Sequence, residues 1–200
     1  MTNERSNESS QKLIVKPTAE GVMSAVRAVK GLPPVHLWNP PFCGDIDMRI
    51  ARDGTWFYMG TPIGRAPMVK LFSSILKREG DAYFLVTPVE KVGIMVDDAP
   101  LLAVDLMASG QDQDQILTFT TRTEDVVTAG ADHRITVQIA ADGEPSPYVH
   151  VRDGLQALID RKTFYRMVEL GCHAAHSGQN WFGIWSDGQF FPILPSTEMS

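Results

Sequence analysis

What most restricts the fold of this chain is that its structural signals come twice, in the same order. Ile50-Ala51-Arg52-Asp53-Gly54 recurs as Ile139-Ala140-Ala141-Asp142-Gly143, and each copy leads into a strand-like run and then an amphipathic helical stretch. Within those helical stretches Phe72-Ser73-Ser74-Ile75-Leu76 resembles Phe164-Tyr165-Arg166-Met167-Val168. After each comes a glycine and then an aromatic pair, Tyr83-Phe84 and Trp181-Phe182. A single five-residue match means little, because any hairpin accepts Asp-Gly; an ordered series marks a duplicated supersecondary unit. The expectation is an α+β fold of two related domains, each a mostly antiparallel sheet or split barrel packed with a helix. The division falls near Asp97-Asp98-Ala99-Pro100, giving a flexible tail over 1–17, one repeat over 18–98 and another over 99–200.

The local signals supply the elements. Thr18–Lys30 reads as a helix capped by Thr18, with Val22, Ala25, Val26 and Val29 on one face and Gly31 ending it. Four prolines between Leu32 and Pro41 leave that stretch extended. Ile46–Ala51 and Thr55–Met59 flank Arg52-Asp53-Gly54, where a tight turn with positive φ at both Asp53 and Gly54 is expected. Pro67 opens a helix over Ala66–Glu79 that Gly80 closes, with Met68, Leu71, Phe72, Ile75 and Leu76 at helical spacing. Strands follow over Ala82–Thr87, Val89–Val96, Leu101–Met107, Ile116–Thr123, Arg134–Ala140 and Tyr148–Val151. Asp160 caps a helix running from Arg161 to about Ala175, and a last hairpin, Trp181–Trp185 with Gln189–Ile193, turns at Asp187-Gly188.

Charge and composition exclude several classes. A chain of 200 residues buries roughly 70% of its unfolded surface, so it needs no disulfide framework, and it has only Cys43 and Cys172. The net charge of −6 argues against a general DNA or RNA binder. No apolar run reaches the roughly 20 residues of a membrane span, and no signal peptide is visible, so a cytoplasmic protein is expected. Arginine outnumbers lysine eleven to seven, which favours fixed anion contacts on an otherwise acidic protein.

Three constellations carry possible chemistry. His36-Leu37-Trp38-Asn39-Pro40-Pro41-Phe42-Cys43-Gly44-Asp45-Ile46-Asp47 gathers a histidine, an indole, a thiol and two acids. Asp45 and Asp47 share one face of a strand, where they would hold a divalent cation or pair with arginines. Arg65 stands at the mouth of the helix that Pro67 opens, where free backbone N–H groups favour an anion, with Lys70 one turn on. Tyr148-Val149-His150-Val151-Arg152 is its counterpart in the second half, with His150 and Arg152 on one strand face. Cys172 and His176 fall at i, i+4 on the expected second helix, with His173 between them; a buried thiol and dipole-complementing histidines compete there with a ligand pair. No GxSxG, HExxH, CxxC, Walker, kinase or EF-hand pattern occurs, which removes the chemistries those motifs support.

The stretch HLWNPPFCGDIDMRIARDGTWFYMGTPIGRAPMVKLFSSIL, together with LVTPVEKVGIMVDDAP and PYVHVRDGLQALIDR, resembles the bacterial domain-of-unknown-function family 1285 over roughly residues 30 to 170. The resemblance implies duplicated α+β domains, the C-terminal one pleckstrin-homology-like, with an inter-domain cleft that takes a nucleotide-like ligand in a signalling setting. It implies no established activity and names no cofactor. The residues here that match its pattern and would line the cleft are His36, Trp38, Asp45, Asp47, Tyr58, Arg65, Tyr148 and Arg152. The expectation is therefore a non-enzymatic regulatory module holding an anionic small molecule between Arg65 and Arg152, with Trp38 or Tyr58 stacking on it. Two alternatives stay open: a divalent-metal enzyme using Asp45 and Asp47, and a protein-interaction module presenting a groove or sheet edge.

Overall fold

The computed structural model describes residues 18–26, 32–141 and 143–198. The chain begins with α1 (Ala19–Val26), whose N-terminus is capped as expected: the Gly21 N–H donates to Thr18 Oγ1 at 3.2 Å. Val29, Gly31 and Asp142 lie outside the described residues, as does the tail expected over 1–17.

The first half is a six-stranded sheet built from β1 (Phe42–Ile50), β2 (Trp56–Tyr58), β3 (Thr61–Pro62), β4 (Leu76–Glu79), β5 (Ala82–Val86) and β6 (Lys91–Val96), with α2 (Ala66–Ser74) between β3 and β4. Its order is β3-β2-β1-β6-β5-β4. Two antiparallel three-stranded meanders are joined at the centre by β1 and β6, which run parallel. The second half comprises β7 (Leu101–Ser109), β8 (Ile116–Thr121), β9 (Val126–Thr128), β10 (Ile135–Ile139), β11 (Pro145–Arg152) and β12 (Leu155–Ile159), in the order β10-β11-β12-β7-β8-β9. Here too the first and last strands form the central parallel pair. The two halves share one topology, so the duplication is real.

The alignment of the repeats is not the one the sequence markers suggested. Ala51–Thr55 is the β1–β2 turn, whereas Ala140–Glu144 is the β10–β11 turn, which corresponds to β4–β5 in the first half. The helices are equally out of step: α2 lies inside the first unit, while α3 (Arg161–Glu169) follows the second. The two marker turns are alike because they share a local geometry. In each, three residues are closed by a glycine at positive φ, Gly54 at 78° and Gly143 at 86°. Asp53 is not at positive φ, contrary to expectation, because a three-residue loop needs only its last residue left-handed. Met59-Gly60, Asp153-Gly154, Ser177-Gly178 and Asp187-Gly188 are two-residue turns in which both positions are left-handed.

Both helices are shorter than their apolar spacing suggested. α2 stops at Ser74 because the Ser73 and Ser74 hydroxyls donate back to the carbonyls of Lys70 (2.8 Å) and Leu71 (2.7 Å), and Leu76–Glu79 pairs with β5 instead. α3 is capped by Asp160, whose Oδ1 accepts from the Thr163 N–H at 2.8 Å, and ends at Glu169. A Cβ at Gly171 would collide with the Phe182 ring, so the chain leaves the helix there hard against the next sheet. That sheet is β13 (Cys172–His176), β14 (Gln179–Ser186) and β15 (Gln189–Pro195). Cys172 and His176 therefore stand about 13 Å apart along a strand rather than one turn apart on a helix. The strand β12 was not anticipated, although Leu155, Ala157 and Ile159 alternate on it.

Most buried apolar side chains of both halves join in one cluster, and Ala99, Leu102, Tyr148 and Leu158 form a second, smaller one. In the first half, Trp56 stacks on Phe72 with centroids 6.1 Å apart; in the second half, Phe119, Leu155 and Met167 are fully buried. The seam between the halves is thus packed rather than hinged. No described helix is long and apolar enough to cross a membrane.

Candidate functional site

Among the described residues a cavity of about 650 Å³ opens where α2 meets the β8–β9 turn and the end of β11. Strand alternation sends Val151 into the core, and Arg152, the last residue of β11, reaches the seam beside it. The Arg152 guanidinium spans the halves: Nη2 donates to the Ser73 carbonyl of α2 at 2.8 Å, and Nη1 pairs with Asp125 Oδ1. Asp125 is itself fixed, since its Oδ2 accepts from the hydroxyls of Thr121 (3.1 Å) and Thr123 (2.9 Å). Those threonines belong to the β8–β9 turn, in which the Thr121 N–H donates to the Asp125 carbonyl at 2.8 Å. Glu124 occupies the left-handed position of that turn, at φ 67°, and pairs with Lys70 of α2 across the seam. The charged lining is balanced, Lys70 and Arg152 against Glu124 and Asp125, and His133 also faces the cavity. His133 Nδ1 lies 3.1 Å from the His150 carbonyl, and the two imidazoles stack at 5.8 Å.

A second set of contacts ties the halves together elsewhere. Arg52 pairs with Asp98 Oδ2 at 2.8 Å and donates to Ser146 Oγ at 2.8 Å, while Arg122 donates to the Asp53 carbonyl at 2.8 Å. The buried Tyr148 hydroxyl donates to Asp98 Oδ1 at 2.7 Å. Burial, reinforced by that hydrogen bond and the Asp98 charge, pushes the Tyr148 phenol above its usual range.

The residues singled out in the sequence are dispersed by this fold. Of the eight residues expected to line the cleft, Arg152 alone lines the main cavity. His36 flanks an adjoining depression of about 270 Å³ that Arg152 also borders. Trp38 is half-buried against the core, and its carbonyl accepts from Lys77 Nζ at 3.1 Å. Tyr58 packs on the same core and borders a recess of only about 70 Å³ with Met68 and Phe72. Arg65 is exposed at the start of α2, where its carbonyl rather than its side chain makes the bonds. Tyr148 is committed to Asp98. Asp45 and Asp47 do share an exposed face of β1, but among the described residues neither forms an ion pair, and no cluster of His, Cys, Asp and Glu is placed to hold a metal ion. Sequence reasoning placed Lys70 near the site but missed Ser73, Glu124, Asp125 and His133. The signal available for two of them was Thr121-Arg122-Thr123-Glu124-Asp125, a turn whose hydroxyls flank an acid.

Comparison with known proteins bears on the whole length of this arrangement. The family models described as "Domain of unknown function (DUF1285), N-terminal domain" and "Protein of unknown function (DUF1285), C-terminal domain" match residues 33–99 and 100–193. The chain belongs to the DUF1285 family. A crystal structure of a DUF1285 family protein from Silicibacter pomeroyi DSS-3 is 60% identical, with a TM-score of 0.82 over 90% of this chain and 97% of that one. A second, from Shewanella baltica OS155, is 34% identical over 61% of this chain and 90% of that one, with a TM-score of 0.49. No curated protein matches. The two DUF1285 models meet between β6 and β7, so the cavity lies where the family's two domains face each other.

Proposed function

We propose that this DUF1285 protein is a non-catalytic regulatory module that binds a small anionic molecule in the cavity between its domains. The observation that carries the reading is the composition of that cavity: α2 of the N-terminal domain supplies one wall, and the β8–β9 turn and β11 of the C-terminal domain supply the others. A ligand there touches both domains at once, and interfaces of this kind are preferred sites for pockets of this size. Occupancy would reinforce the seam and change the surface that the domains present together, which is how such a module would signal. The protein works in the cytoplasm in this reading, consistent with Cys43 and Cys172 both being free.

Thermal-shift and calorimetric screening against small anions tests the proposal, with Val126→Trp as the blocking variant. Val126 is 64% exposed at the cavity rim, so the indole fills the opening without disturbing the core. A hit that stabilises the wild type and is lost in Val126→Trp supports the site. A hit that binds both proteins equally removes it.

A further inference from the structure

We infer that the ligand is a small aliphatic carboxylate, its chain lying between α2 and the β8–β9 turn and its carboxylate taking the place of Glu124 on Lys70. The inference rests on the cavity being the ligand site.

The walls set the body of the molecule. Leu71, Val126, Val127 and Val151 line the cavity and Leu32 stands at its edge, with Leu32 and Val126 about two-thirds exposed. An apolar chain laid against them removes that surface from water, which is the favourable direction. A nucleobase finds no comparable support: His133 is the one aromatic ring among the lining residues, and Trp38 and Tyr58 pack elsewhere.

The charges set the head group. Arg152 and Asp125 are locked to each other, to Ser73 and to two threonines, so neither is available without breaking the seam. Lys70 is different. Its ammonium pairs with Glu124, whose side chain is 71% exposed, and ion pairs this open contribute little and exchange readily. An incoming carboxylate can take over the ammonium while Glu124 turns out to water, so Lys70 stays paired with one carboxylate and the displaced charge is solvated.

The backbone supports the exchange. Glu124 sits at φ 67° in the turn position that Gly54 and Gly143 fill in the other two hairpins of the same type. A side chain in the left-handed region is locally unfavourable, yet here it aims a carboxylate at the one exchangeable cation of the cavity. Glu124 thus serves as an internal stand-in for the ligand's head group, keeping Lys70 neutralised until a carboxylate with an apolar chain displaces it.

The probes are octanoate, octanol and AMP, titrated by calorimetry into wild type, Glu124→Gln, Lys70→Gln and Val126→Trp. Octanoate is expected to bind one-to-one and octanol far more weakly. Glu124→Gln tightens octanoate several-fold, Lys70→Gln weakens it by up to about fivefold, and Val126→Trp abolishes it. AMP binding that Val126→Trp abolishes, with no octanoate binding, overturns the aliphatic acid and leaves the cavity standing. Octanoate binding indifferent to Lys70 and Glu124 overturns the head-group assignment. Octanoate and AMP both inert, or both indifferent to Val126→Trp, sinks the cavity and the ligand together.

Discussion

Replacing Asp125 with alanine should loosen the seam, and the structure sets how much. The Asp125 carboxylate receives three groups: Nη1 of Arg152 and the hydroxyls of Thr121 and Thr123. The side chains of Arg152 and Asp125 are 19% and 11% exposed, so the pair lies much nearer the buried limit than the surface one. Removing one partner of a fully buried pair costs about 3–5 kcal/mol, and an exposed pair contributes about 0–1 kcal/mol. Weighting by exposure gives about 2–4 kcal/mol for Asp125→Ala. The threonines add little, because their oxygens lie 3.1 Å apart and one can donate to the other once the acid is gone. In a chain of this size each kcal/mol is worth roughly 2–4 °C in Tm, so calorimetry should show a fall of roughly 5–15 °C. Asp125→Asn, which keeps an oxygen for the threonines and loses the charge, should fall between wild type and alanine. A double-mutant cycle in urea with Arg152→Met isolates the pair, and a coupling above about 1 kcal/mol is expected. If Asp125→Ala costs less than about 1 kcal/mol, or the cycle is additive within about 0.5 kcal/mol, the pair does not hold the halves together and the reasoning fails.

Thr163 is fully buried in the first turn of α3, and its hydroxyl has no partner among the described residues. Thr163→Val keeps the shape and should raise stability by about 1 kcal/mol, read from the urea midpoint; a loss would show that the hydroxyl is satisfied. At Glu124 the left-handed backbone should make glycine better than alanine by about 1 kcal/mol, and equal midpoints for Glu124→Gly and Glu124→Ala would contradict the strain. Asp53, held by the Thr55 N–H, and Glu79, held by Lys91 and then Lys77, have carboxyls below the usual range. The unfolded chain binds protons on them first, so their contribution is complete above about pH 4.5 and is lost as the pH falls through the lowered values. Urea midpoints should drop below that pH, and a rise would reverse the assignment.

What was legible in the sequence is what local chemistry decides. The Thr18 and Asp160 caps, the left-handed glycines of the turns and the outward pair Asp45 and Asp47 follow from a few adjacent residues, and the structure has them. The duplication was legible as an order of elements but not as an alignment. Asp-Gly marks a turn wherever one occurs, and nothing local distinguishes a β1–β2 turn from a β10–β11 turn. The over-long helices have a related cause: Ile75 and Leu76 fit a helical stripe as well as they fit a helix exit followed by a strand, and only pairing with β5 settles it. At the site, Arg152 was visible because alternation on β11 turns it away from the face that Val149 and Val151 bury. Its partners Asp125 and Ser73 are brought to it by tertiary packing, which leaves no local trace. Trp38 and Tyr58 were read as ligand-stacking rings for their chemistry, yet the core claims them.

In both domains the earliest strand lies beside the latest, with every other strand of that sheet made in between. During synthesis β1 therefore waits with one side unmatched until β6 leaves the ribosome, and β7 waits likewise for β12. Such long-range closure is intrinsically slow, and each nascent domain is exposed to chaperones or to stray strands for most of its production. Ribosome-bound chains should resist protease abruptly once Val96 has emerged, rather than by degrees.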